Sequence, residues 1–274
     1  MRVKKMRAAA VVSLVLLMGI FSACGGRPES TVIVAGSTSV QPYAEVLAEE
    51  YYALHPEREV DVQGGGSSAG ITAALSGTAN IGMSSRDLTV KEQEMWHTVI
   101  AKDGLVVIVY PGNTIDDLTI EQVRGIYEGS ITNWNELGGS RDHKIHVIAR
   151  EEGSGTRSAF ESMVMGGVFI TPKAIVQDSN GSVRQLVGND PHSIGFISLG
   201  LVDETVKPLR LDGIAATWET IMNGSYTLYR PFVFVSNGEP AGPAKQFVDF
   251  TLSPEGQRLL QNEGLISVTE GAQE

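Results

Sequence analysis

One cysteine, Cys24, is all the chain carries, so no disulfide can brace the part that folds after it. Long apolar runs are missing too. The longest, Ala8 to Ile20, is about 13 residues, short of the ~20 that a membrane-spanning helix needs. A Gly-Lys-Ser/Thr ending occurs nowhere, which excludes a nucleotide-binding P-loop. Histidine is scarce, with His55, His97, His143, His146 and His192 making five. No cysteine or carboxylate pattern groups them into a metal centre, and His143 and His146 read as a surface pair. Positive charge is in the minority, with 21 Lys plus Arg against 32 Asp plus Glu. An acidic surface of that kind argues against nucleic acid as a partner.

What is there begins with a leader. Arg2, Lys4, Lys5 and Arg7 precede the apolar run, the pattern of a secretory signal over residues 1–23. Phe21-Ser22-Ala23-Cys24 resembles a bacterial lipobox, although Phe21 stands where an aliphatic residue is usual. The resemblance implies an acylated Cys24, an anchor in the membrane and an extracytoplasmic location. The competing reading is an ordinary signal cut near Ala23, which leaves a free thiol. Residues 24–30 read as a polar tether. Losing four basic residues with the leader leaves 17 against 32 acidic ones, a net charge of −15.

The remainder repeats one local pattern: an apolar β-branched run, then Gly, Ser or Thr, then an amphipathic stretch. Thr31–Ala35, Val60–Val62, Asn80–Met83 and Lys144–Ala149 are predicted strands. Helices are expected after Ser39, with Pro42 near the first turn and Tyr43, Leu47, Tyr51 and Leu54 on one face. Others are expected around Ile71–Leu75, Val90–Trp96 and through Met163. Alternation of this kind implies α/β layers with a largely parallel sheet. Ligands of such sheets sit where strands end and helices begin.

Each junction here offers hydroxyls and glycine: Ser37-Thr38-Ser39, Gly66-Ser67-Ser68, Ser84-Ser85-Arg86-Asp87, and Arg150 through Thr156. The first turn of a helix presents unpaired N–H groups and about half a positive charge. Hydroxyls add short donors, and glycine lets backbone approach a ligand. Any one such junction can be a plain N-cap. Four converging ones would cage an anion with few full charges. Arg150, at a strand end, could grip two oxygens in a fork, unless it pairs with Glu151 or Glu152 at the surface.

Arg150-Glu-Glu-Gly-Ser-Gly-Thr156, with Gly36-Ser-Thr-Ser39 and Gly66-Ser-Ser68 upstream, resembles the phosphate-binding proteins of bacterial phosphate ABC importers. Ser193-Ile-Gly-Phe-Ile-Ser198 and Asn223-Gly-Ser-Tyr226 through Arg230-Pro231 extend the likeness from about Thr31 to past Glu255. The resemblance implies an α/β, two-lobed periplasmic-binding-protein architecture of type II, with the ligand in the interlobe cleft. Crossings near Tyr110–Gly112 and Tyr229–Pro231 would give one lobe from 31–110 plus 228–274, with the other at 111–227. It implies capture of inorganic phosphate by a monomer and delivery to an ABC permease, with no catalysis and no cofactor.

Thr38, Ser39, Ser67, Ser85, Arg150, Ser154, Gly155 and Thr156 would be the ligand contacts. Ser37, Ser68, Arg86 and Asp87 are secondary candidates, and Glu152 matches an acidic residue that holds the arginine. The chain departs from the family at Ser85, where many members carry an aspartate that accepts the phosphate proton and so rejects sulfate. Here Ser85 would accept through a lone pair, or Asp87 would reach in, or discrimination would be weak. Arg86 would add a second charge or pair with Asp87 or Glu152. Alternatives are another tetrahedral oxyanion (sulfate, arsenate, molybdate), or a phosphatase-like enzyme on the same cage.

Overall fold

The computed structural model describes residues 31–139 and 142–268, so the leader, the tether and Cys24 lie outside the described residues. The first half runs β1 (Val32–Gly36), α1 (Gln41–Leu54), β2 (Val60–Gly64), α2 (Ser67–Ser76) and β3 (Ile81–Ser84). Pro42 sits in the first turn of α1, and Tyr43, Leu47 and Tyr51 are buried as their spacing predicts. Leu54, the last of that stripe, is exposed because the helix runs past the core at its C-terminal turn.

The helix expected over Val90–Trp96 is a single 3-10 turn, Glu92–Glu94, after which Trp96 begins the 14-residue β4 (Trp96–Val109). Two things decide this. Thr98, Val99 and Ile100 favour extended backbone. Arg86 forks onto Glu92, with Nη1 to Oε2 at 2.8 Å and Nη2 to Oε1 at 2.9 Å, fixing the turn against the end of β3. That guanidinium, helped by the Thr89 N–H, draws the Glu92 carboxyl down to about 2 against the opposing effect of burial.

The chain continues through β5 (Asp117–Leu118), α3 (Ile120–Glu128), β6 (His146–Arg150) and α4 (Gly155–Phe160), which widens into a π-turn at Glu161–Met165. β7 (Ile175–Gln177), α5 (Asn180–Asn189), β8 (Ser193–Ser198), β9 (Lys207–Pro208), β10 (Arg210–Leu211) and α6 (Trp218–Met222) follow. Then come β11 (Tyr229–Ser236), α7 (Gly242–Leu252) and α8 (Pro254–Asn262).

One sheet runs β2-β1-β3-β11-β4-β8-β6-β7. Its flanks are parallel, as the alternation predicts, while β11, β4 and β8 meet antiparallel at the centre. β4 pairs with β11 as far as Gly104 and with β8 from Leu105 onward. The cores change at the same place. Ile100, Ala101, Phe232 and Phe234 pack with β1 and α1, whereas Leu105, Val107 and Leu228 pack with α3, β6 and β8. The change of core thus falls inside β4, before the Tyr110–Gly112 segment where a crossing is expected. Strand ends from both halves point their following turns into one seam.

Candidate oxyanion site

That seam gathers the turn after β1, the start of α2 and the end of β3 on one side, with the end of β6 and the start of α4 on the other. Ser37, Ser39, Ser67, Ser85, Arg150, Ser154 and Thr156 are all buried there. Ser39 Oγ lies 2.7 Å from Thr156 Oγ1, and Ser37 Oγ donates to Ser85 Oγ at 2.7 Å. Arg150 Nη2 donates to Thr38 Oγ1 at 3.1 Å, and the Ser68 N–H to the Gly153 carbonyl at 3.1 Å. Ser154 caps α4 by accepting from the Arg157 N–H at 3.2 Å. The N–H groups of Gly155 and Thr156 are then the first of the helix, with no carbonyl behind them. Glycine is required at 155, since a Cβ there would sit 2.2 Å from Ser67 Oγ and 2.6 Å from Ser85 Oγ.

Arg150 is 1% exposed and gripped by Glu151, through Nε to Oε2 and Nη2 to Oε1, each at 2.9 Å. The carbonyls of Gln177 and Asp178 share the hydrogens of Nε and Nη2, at 3.3 and 3.1 Å. Its Nη1 is buried with no protein partner. A buried, unpaired guanidinium nitrogen is costly unless something else accepts from it.

Three expectations need correction. Glu151, not Glu152, holds the arginine, because Glu152 faces solvent one step further along the loop. Arg86 brings no charge to the site, since Glu92 takes both its terminal nitrogens. Asp87 is exposed on the outside of the same turn and does not reach in.

Four residues join the site that the sequence reading left out. Arg230 of β11 donates to Asp103 Oδ2 from Nε at 3.2 Å and Nη2 at 3.1 Å. Its Nη2 also reaches Ser39 Oγ at 3.1 Å, and its Nη1, like that of Arg150, is buried without a protein partner. Asp103 Oδ1 accepts from Ser198 Oγ at 2.7 Å, and Asn180 Nδ2 donates to Ser39 Oγ at 2.8 Å. Burial pushes the Asp103 carboxyl up and the Arg230 guanidinium down, each opposed by the other's charge. A weak signal was available: Asp103 is a carboxylate just before the apolar run Leu105–Val109, and Arg230 stands just before the apolar run Phe232–Val235. The pairing spans 127 residues and has no local signature.

The histidines lie elsewhere. His143 stacks on His192 with centroids 4.1 Å apart, and His146 Nδ1 meets Asp190 Oδ2 at 2.6 Å. No group of three or more metal-ligating side chains occurs among the described residues.

Residues 23–255 match the model of the PBP superfamily domain. The chain is 33% identical to the phosphate-binding protein PstS of Borreliella burgdorferi, over 88% of this chain and 91% of that one. A phosphate ABC transporter substrate-binding protein from Clostridium perfringens, crystallised with phosphate, is 41% identical and superposes with a TM-score of 0.83. That match covers 87% of this chain and 99% of the other. An ABC-type phosphate transport receptor from Vibrio cholerae is 40% identical, with a TM-score of 0.72 over 86% of this chain and 99% of the receptor.

Proposed function

The chain belongs to the phosphate-binding proteins of bacterial ABC importers, within the PBP superfamily, and we propose that its seam captures inorganic phosphate for a membrane permease. The observation that carries this is Arg150: buried, oriented by Glu151, and left with one free nitrogen amid hydroxyls and first-turn N–H groups. In this reading Arg150 and the N–H groups of Gly155 and Thr156 hold the anion from one lobe. Thr38, Ser67 and Ser85 hold it from the other, with Ser39 orienting the Thr156 hydroxyl, and residues 102–104 and 229–231 are the crossings. Charge-assisted hydrogen bonds at ~1.5–3 kcal/mol each, before the costs of ordering, suffice for micromolar affinity near −8 kcal/mol. The acidic exterior opposes this little, because salt screens charge beyond about 8 Å.

In this reading the site binds without catalysing. Its hydroxyls have no histidine beside them to act as general base, which a phosphatase on the same cage would need. Calorimetric titration is expected to give one phosphate bound per chain, with no release of phosphate from an ester such as p-nitrophenyl phosphate. Ester hydrolysis that depends on Arg150 would replace this reading with the enzyme.

Attachment to the membrane would keep the protein beside its permease, and acylated Cys24 is the proposed anchor. A single acyl chain holds only marginally, so stable retention needs more than one. Cys24→Ala is expected to move the protein into the soluble fraction with phosphate affinity unchanged. Retention of the variant in the membrane fraction would rule out this anchor.

A further inference from the structure

The hydroxyls of the seam are not free to turn either way. Ser39 Oγ receives Asn180 Nδ2 at 2.8 Å and Arg230 Nη2 at 3.1 Å, which fill both its lone pairs. Its own hydrogen therefore goes to Thr156 Oγ1. Ser37 Oγ receives the N–H groups of Ser39 at 3.2 Å and Val40 at 3.4 Å and passes its hydrogen to Ser85 Oγ. Thr38 Oγ1 receives Arg150 Nη2. Thr156 and Thr38 thus each accept from the protein and keep a hydrogen to give, while Ser85, which accepts from Ser37, has Ser67 Oγ at 3.4 Å as a second neighbour.

Neighbouring carboxylates offer nothing in return. Both oxygens of Glu151 are held by Arg150, those of Asp103 by Arg230 and Ser198, and Asp87 is exposed. Two buried guanidinium nitrogens without partners complete the set, Nη1 of Arg150 and Nη1 of Arg230. Their forks are bonded to Thr38 and Ser39, consecutive residues of one turn. The two cations also feel each other. After burial and against the pull of Asp103, the charge of Arg150 adds to what draws Arg230 below its ordinary range. An anion between them relieves that repulsion.

We propose that Arg230 is a second guanidinium ligand beside Arg150, and that this cage of donors takes the doubly charged oxyanion. Doubly charged hydrogen phosphate is preferred over its singly charged form, and sulfate competes. The inference rests on the phosphate reading and specifies the ionic form that the same site accepts. Residual lone pairs on Thr38, Thr156 and Ser85 can take one ligand proton. Two facing guanidiniums favour the more highly charged form, and no carboxylate repels an anion that brings no proton.

The groups facing Arg230 are Asp103 on β4, Arg150 on β6 and Tyr43 on α1, whose hydroxyl burial pushes well above its ordinary range. The test is phosphate titration across pH on the full chain, with sulfate as competitor, beside the neutral pair Asp103→Asn/Arg230→Gln. In the natural protein Kd should rise about tenfold per pH unit below the second ionisation of phosphate and level off above it. Sulfate should displace phosphate with a Kd within about a hundredfold of phosphate's own. The double variant, checked for folding by circular dichroism, should lose about thirtyfold or more in affinity and most of the pH slope. A flat or inverted slope in the natural protein, exclusion of sulfate, or a variant binding within threefold would overturn the inference while leaving phosphate capture intact. Absence of phosphate binding at every pH would instead sink the parent reading, and this one with it. The slope and the sulfate competition need no variant, so a misfolded double mutant does not shelter the claim.

Discussion

Arg150→Ala is expected to weaken phosphate binding by about 2–5 kcal/mol, or roughly thirty- to several-thousandfold, while the protein still folds. The size follows from what the side chain lacks. The three hydrogens of Nε and Nη2 are spent on Glu151, Thr38 and two carbonyls, which fix the fork and leave the two on Nη1 as a preset contact. Little reorganisation is needed when an anion arrives, so the charged bond is nearly all gain. Folding should survive because the partner left behind, Glu151, is 29% exposed and can be rehydrated. Arg150→Lys keeps the charge but not the fork, and should recover only part of the loss. Calorimetry at fixed salt checks both. Binding of Arg150→Ala within threefold of the natural protein would remove Arg150 from the site.

Much of this site is legible in the sequence, and for a local reason. Serine, threonine and glycine between an apolar run and an amphipathic one report a strand-to-helix turn, and such turns are where a parallel sheet binds anions. Ser37, Ser39, Ser67, Ser85 and Thr156 were found that way, and all are buried in the seam. The charges were harder. Glu151 and Glu152 are adjacent carboxylates in an irregular loop, and composition does not say which one turns inward. The backbone decides, through a bend at Gly153 with φ of 87° that leaves Glu152 outside. Asp103 and Arg230 give only a weak signal for the opposite reason: nothing near either residue in sequence names its partner, and the pairing makes sense only when β4 and β11 lie side by side. Trp96 reads as helical because its neighbours on the N-terminal side are helix formers, while the strand's signal begins two residues later.

The Asp103–Arg230 pair also carries the largest stability effect expected in the molecule. Both side chains are 1% exposed, and they join the two strands that run between the cores. Such a pair adds little over a well-packed apolar substitute, because desolvating two charges offsets most of their attraction. Breaking it is another matter. Asp103→Ala leaves a buried guanidinium with no counter-ion and strands the hydroxyl of Ser198, and should cost about 3–5 kcal/mol. For a chain of this size that is a fall of roughly 6–20 °C in Tm. Asp103→Ala/Arg230→Met removes both charges and keeps the methylene packing, so it should regain most of the lost stability. It should not regain phosphate affinity, since the second guanidinium is gone with the first carboxylate. Thermal unfolding and phosphate titration of the two variants separate the roles: the single variant unstable, the double variant stable and weak in binding. If Asp103→Ala costs less than about 1 kcal/mol, water reaches Arg230, and the pair is no buried strut between the strands.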